Sequence, residues 1–145
     1  KTLFPYTTLF RSVMAGTGSF TKSGSGSLAL SGANTYLGGS TLAAGTLKVG
    51  IASAGSVGSI TSGALGTGDV VVASGSALDL NGYNALNGLS VSGTGISSSG
   101  VVYNSTASGN PAVSVHTFGS QSVTAGTFTL TMPANDASNA LIRIA

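Results

Sequence analysis

A chain of 145 residues has the length of one ordinary domain, and an apolar content of 41% supplies enough aliphatic side chains for a core. Only 6% of residues are charged, 23 are Gly and none is Cys, which excludes a disulfide framework and a thiolate metal site and leaves the surface to hydroxyls and amides. Leu, Val and Ile recur along the whole length, which separates the chain from a disordered Gly/Ser linker.

Lys1 to Ser12 (KTLFPYTTLFRS) is aromatic and free of Gly, unlike the rest of the chain. Thr2 to Ser12 match the translation of a sequencing-adapter oligonucleotide, so residues 1–12 are read as an adapter-derived artefact and set aside from the fold. Without Lys1 and Arg11, the bases Lys22, Lys48 and Arg143 balance the acids Asp69, Asp79 and Asp136. A neutral chain lacks the basic patch that a phosphate backbone requires, so nucleic acid is not an expected partner. No apolar run approaches the ~18 residues that span a bilayer, and direct membrane insertion is not expected either.

From Val13 onward the chain alternates between short strands and Gly-rich corners. Ser27-Leu28-Ala29-Leu30, Thr46-Leu47-Lys48-Val49 and Ala77-Leu78-Asp79-Leu80 have period-two alternation, with Leu28 and Leu30, Leu47 and Val49, and Leu78 and Leu80 inward, and Ala29, Lys48 and Asp79 facing solvent. Further strand-like runs are 69–73, 89–91, 101–103 and 127–131. Turn signals fall at 31–34, 38–40, 81–84 and 87–88, where Gly and Asn accept left-handed backbone angles. No segment has the pattern of a capped amphipathic helix. The two Asn-Gly pairs at 81–82 and 87–88 are compatible with antiparallel hairpins and hence a β-sandwich. Strands this short, separated by Gly corners, fit better a coil with rungs of about twenty residues, each stacking on the last.

The stretch from Gly18 to Val49 carries Thr21-Lys22, Gly24, Gly26, Leu28, Leu30-Ser31-Gly32, Asn34-Thr35-Tyr36, Gly38-Gly39 and Ala44-Gly45-Thr46-Leu47 in order. It closely resembles the autotransporter-associated β-strand repeat of bacterial autotransporter passenger domains. Gly63-Ala64-Leu65-Gly66-Thr67-Gly68 and Ser76 to Gly82 resemble a degenerate continuation. The resemblance implies a right-handed parallel β-helix that is exported and carried across the outer membrane by a C-terminal barrel. Neither a signal peptide nor barrel strands occur, so an internal piece of a passenger is expected. Past Asn110 the phrase stops, and residues 111–145 read as a divergent β segment, a cap or a separate module.

Candidate chemistry is sparse. The lone histidine, His116, has no G-x-S-x-G elbow to accompany it and reads as a surface strand residue. Asp69 and Asp79 are the acids of the repeat region; paired carboxylates perform glycoside hydrolysis, but a turn-capping Asp69 and a solubilising Asp79 are the expected roles. A groove uniting Asp69, Asp79, Lys48 and an aromatic would favour an enzyme or a carbohydrate-binding β-helix. Gly66-Thr67-Gly68-Asp69 is a single copy of a calcium-roll phrase, which works only when stacked. Asn104-Ser105-Thr106 is a glycosylation sequon in form, and Tyr36 and Tyr83 lie in turns, where corner packing is expected over sugar stacking.

The expected architecture is thus an all-β, right-handed parallel β-helix fragment over residues 13–110, with a β-sandwich as the alternative. The expected role is a structural stalk or display segment of a surface-exposed or secreted passenger, adhesin-like, with no catalytic, cofactor-binding or metal residue and no cofactor. Its partners are neighbouring rungs and a host-surface or glycan ligand. The alternatives are a carbohydrate-binding or polysaccharide-cleaving β-helix and a phage tail-spike fragment.

Overall fold

In the computed structural model, residues 7–98 and 100–106 are described. They form a parallel β-solenoid. One sheet takes β1 (Thr7–Phe10), β3 (Ser27–Leu30), β5 (Gly45–Val49), β9 (Ser76–Asp79) and β11 (Val102–Tyr103), in that order. A second sheet runs β10 (Leu89–Val91), β8 (Val70–Val72), β4 (Ser40–Leu42) and β2 (Phe20–Lys22). All seven pairings within these two sheets are parallel. The chain winds from one sheet to the other and back along a third, irregular side.

Alternation decides which residues enter the core. Leu28, Leu47 and Leu78 are register partners, as are Leu30 and Val49, and with Leu42, Val70 and Val72 from the second sheet they form an apolar interior. Leu80, just past β9, extends the Leu30–Val49 column, and Ala64, Leu65 and Ala85 close the core between the sheets. These columns repeat at the ~4.8 Å spacing of adjacent strands, so Leu47 packs between Leu28 on one side and Leu78 on the other. The parallel-coil reading holds and the sandwich does not: Asn81 and Gly82, at φ 48° and 81°, turn a solenoid corner rather than a hairpin.

The structure departs from the sequence reading in three places. Phe20 pairs with Ser40, Ser40 with Val70 and Val70 with Leu89, so successive rungs hold 20, 30 and 19 residues. The surplus in the long rung is an antiparallel hairpin of β6 (Ala54–Ser56) and β7 (Ser59–Ser62), turning at Val57-Gly58. Asp79 occupies the outward column with Ala29 and Lys48, as the alternation requires, but is 2% exposed, and Ala29 is buried as well. Thr7 to Phe10, within the segment set aside as adapter-derived, lie as a strand on β3 with all four residues exposed; an open sheet edge offers backbone hydrogen bonds to any extended chain. The predicted strand at 127–131 and the segment 111–145 lie outside the described residues. A three-residue 3-10 turn at Ile96–Ser98 is the sole helical element among the described residues, and no helix there is long and apolar enough to cross a membrane.

Candidate functional site

A solenoid must satisfy the backbone groups at its corners, and this one does so with a small set of buried polar side chains. Lys22 stands in the inward column with Leu42 and Val72, yet its Nζ bends to the corner and donates to the carbonyls of Ser23 (3.1 Å), Gly24 (2.7 Å) and Ala44 (3.1 Å). Burial holds its ammonium below the ordinary lysine pKa. From the next rung, the Ser76 hydroxyl donates to the Leu42 carbonyl at 3.0 Å. Gly45, at φ +72°, makes the tight turn; a Cβ there would strike the carbonyl oxygens of Gly24 and Gly26.

The third side is built the same way. Asn34 is fully buried; its Oδ1 accepts from the Met14 amide at 2.8 Å and its Nδ2 donates to Ala64 O at 2.7 Å, so one side chain ties three rungs. Asn87, also fully buried, donates to Gly66 O and Gly68 O. The Tyr36 hydroxyl lies 2.6 Å from Ser40 Oγ, which donates on to Leu65 O. Burial raises the Tyr36 pKa, partly offset by the Ser40 hydrogen bond. Gly66, at φ +72°, leaves room for the Tyr36 ring that a Cβ would hit.

This is the pattern that carries the sequence resemblance, seen as geometry: Lys22, Asn34, Tyr36 and Gly45 each close a corner. Residues 20–49 match the family model of the passenger-associated-transport-repeat. The matched repeat begins at the first residue of β2 and ends at the last residue of β5, and is consistent with the autotransporter passenger repeat that the sequence resembles. No curated protein and no solved structure gives a significant match to the chain.

Outside the repeat, the two acidic residues among the described residues fall in different places. Asp79 Oδ2 pairs with Lys48 Nζ at 3.2 Å, and its Oδ1 accepts from the amides of Asn81 (2.9 Å) and Ser105 (3.0 Å). Tyr103 is its register partner on the next rung. Asp79 is thus a covered anchor for the loop after β11, not the solvated side chain that alternation suggested. Asp69 precedes β8 in the other sheet, so the groove joining Asp69 to Asp79 and Lys48 is not formed. Its carboxylate caps no turn among the described residues. It lies at an open cleft of about 260 Å³ beside the hairpin, lined also by Val57, Ile60, Thr67 and Leu86.

Of the other singled-out residues, Asn104 and Tyr36 have structural contacts. Asn104 Oδ1 accepts from the Gly82 amide at 2.8 Å and from the Thr106 hydroxyl at 2.9 Å, so the sequon closes a turn onto the previous rung. Tyr36 is buried at 4% exposure, whereas Tyr83 is exposed. Among the described residues no three of His, Asp or Glu gather as metal ligands, and His116 lies outside those residues. The cleft was missed by sequence reasoning; its only signal was Val57-Gly58 between two short polar-alternating runs, too weak to mark a hairpin.

Proposed function

We propose that the chain is a structural stalk or display segment of a secreted or surface-exposed autotransporter passenger, adhesin-like in placement and without chemistry of its own. The observation that supports this is the unbroken parallel ladder from β3 to β11, in register across four strands that lie outside the adapter-derived segment. Its corner carbonyls are held by buried Lys, Asn and Ser side chains. Among the described residues each rung hydrogen-bonds to its neighbours alone, so stiffness accumulates along the axis and the unit can be extended by adding rungs. Export is in keeping with the repeat: rungs that form one after another outside the cell would favour outward passage of the remaining chain.

Single-molecule extension of the chain held at its two ends tests this reading. A stalk gives successive releases of one rung each, about 70 Å of contour for twenty residues at ~3.3–3.6 Å per residue, with a longer release for the rung that carries the hairpin. One abrupt release of the whole chain at low force would contradict a load-bearing role. Incubation with a panel of polysaccharides should liberate no reducing ends; sustained release would favour a polysaccharide-cleaving β-helix.

A further inference from the structure

On the third side the outward residues fall into two columns. Since Ser40 pairs with Val70 and Val70 with Leu89, the residues just before them stack as Leu37, Thr67 and Leu86, and as Gly39, Asp69 and Gly88. The hairpin β6–β7 stands beside these columns and completes the cleft of about 260 Å³. Val57, at the hairpin turn, remains 51% exposed, and with Ile60 and Leu86 it gives the cleft an apolar wall.

Asp69 supplies the opposite character. Among the described residues its carboxylate makes no hydrogen bond and no ion pair, and it is exposed. Its column neighbours are both glycine, so no side chain covers it from either rung. A Cβ on Gly88 would come within 2.5 Å of Asp69 Oδ1. The contrast with Asp79 is direct, since Asp79 is flanked in its column by Lys48 and Tyr103.

The cleft is below the ~300–1,000 Å³ of small-molecule pockets and suits a single long side chain. Apolar walls leading to a bare carboxylate and a hydroxyl complement an aliphatic stem that ends in a cation. No aromatic ring lines it, which sets it apart from a sugar-stacking surface. We infer that this cleft binds an arginine or lysine side chain of a partner polypeptide, with Asp69 as the charge partner and Val57, Ile60 and Leu86 against the stem. Arginine is preferred, because its planar fork matches the unpartnered Asp69 carboxylate with two parallel N–H donors, while Thr67 Oγ1 already donates to Tyr36 O at 3.2 Å. This goes beyond the stalk reading, which needs no ligand.

The test is titration of the full chain with N-acetyl-arginine amide, followed by amide NMR shifts, with the neutral isostere N-acetyl-citrulline amide as control. Arginine should move the amides of Val57, Ile60, Thr67, Asp69, Leu86 and Gly88 saturably, and citrulline should bind about fivefold more weakly, the upper range for one exposed ion pair. Asp69→Asn should erase that difference, leaving the rest of the spectrum unchanged because the side chain is exposed. Val57→Ser should weaken both probes alike. Equal binding of the two probes, an Asp69→Asn protein that still prefers arginine, or no shifts at these amides at millimolar probe would overturn the inference. None of these outcomes bears on the rung-by-rung extension that tests the stalk.

Discussion

Lys48 Nζ lies 3.2 Å from Asp79 Oδ2, and the two residues are register partners on adjacent rungs. The carboxylate also receives two backbone amides, so it binds three donors while 3% of its side chain is exposed. Asp79→Ala removes all three and should cost about 2–4 kcal/mol, since buried donors are left without an acceptor. Asp79→Asn keeps an acceptor of the same shape and should cost about 1 kcal/mol. Lys48→Met should stay within about 1 kcal/mol, because 30% of that side chain is exposed and partly solvated pairs contribute little. Urea midpoints at constant slope rank the three; a Lys48→Met loss equal to that of Asp79→Ala would make the ion pair, rather than the amide contacts, the main role of Asp79.

Asn34 holds Met14 N above and Ala64 O below with no exposed surface. Asn34→Ala should cost about 2–4 kcal/mol, as two backbone groups lose their partners in a fully buried site. Asn34→Asp is the sharper probe. A buried carboxyl favours its neutral form, so its folded pKa lies above the unfolded ~3.9 and its stabilising contribution is present below that value and lost as pH rises through the folded pKa. The Asp variant should therefore be weak at neutral pH and recover, relative to wild type, as the pH is lowered toward about 4. A variant deficit that is flat with pH would mean that water reaches Asn34.

Tyr36 gives the wild-type chain an alkaline limit. Burial, offset in part by Ser40, raises its pKa above the ordinary 10.0. The unfolded chain then loses this proton first, so the stability contributed by the neutral phenol is complete below pH 10.0 and falls as pH rises through the folded value. Lys22 acts in the opposite sense: burial lowers its pKa from 10.5, so its desolvation penalty is full below the folded value and is relieved as pH rises toward 10.5. Tyr36→Phe should cost about 0.5–1.5 kcal/mol at neutral pH through the lost hydroxyl contact and should flatten the alkaline decline. Lys22→Met should steepen it. Thermal melts across this range in both variants read the two slopes; an unchanged decline in Tyr36→Phe would assign it to other groups.

The sequence made the core columns legible because period-two alternation depends on neighbours two residues apart. Leu28, Leu47 and Leu78 can be placed inward from local pattern alone, and the register puts them on one line. Burial of Asp79 was not legible, because the residues that cover it, Lys48, Tyr103 and Ser105, come from other rungs. Lys22 shows the converse: a charge at an inward position is hidden only because carbonyls of its own corner and of the next rung converge on it. The cleft depends on what flanks Asp69, two glycines thirty and nineteen residues away in the register, a relation that appears only when rung lengths are known.

The hairpin separates what holds the solenoid from what decorates it. Residues 54–59 are exposed and Ile60 is only half-buried, so removing Ala54–Ser62 uncovers little apolar surface. A Cβ on Gly63 would lie 3.0 Å from Ser53 Cα, so the two ends of the excision already meet, and shortening a surface connection changes loop entropy by well under ~1 kcal/mol. Joining Ser53 to Gly63 should therefore leave stability within about 1 kcal/mol of the full chain while bringing the long rung close to its neighbours in length. The same excision removes Val57 and Ile60 from the cleft, so the arginine-induced shifts at Thr67, Asp69 and Gly88 should weaken even though Asp69 is untouched. Loss of the cooperative melt would show the hairpin to be part of the core, and retained arginine binding would locate the recognition on Asp69 and Leu86 alone.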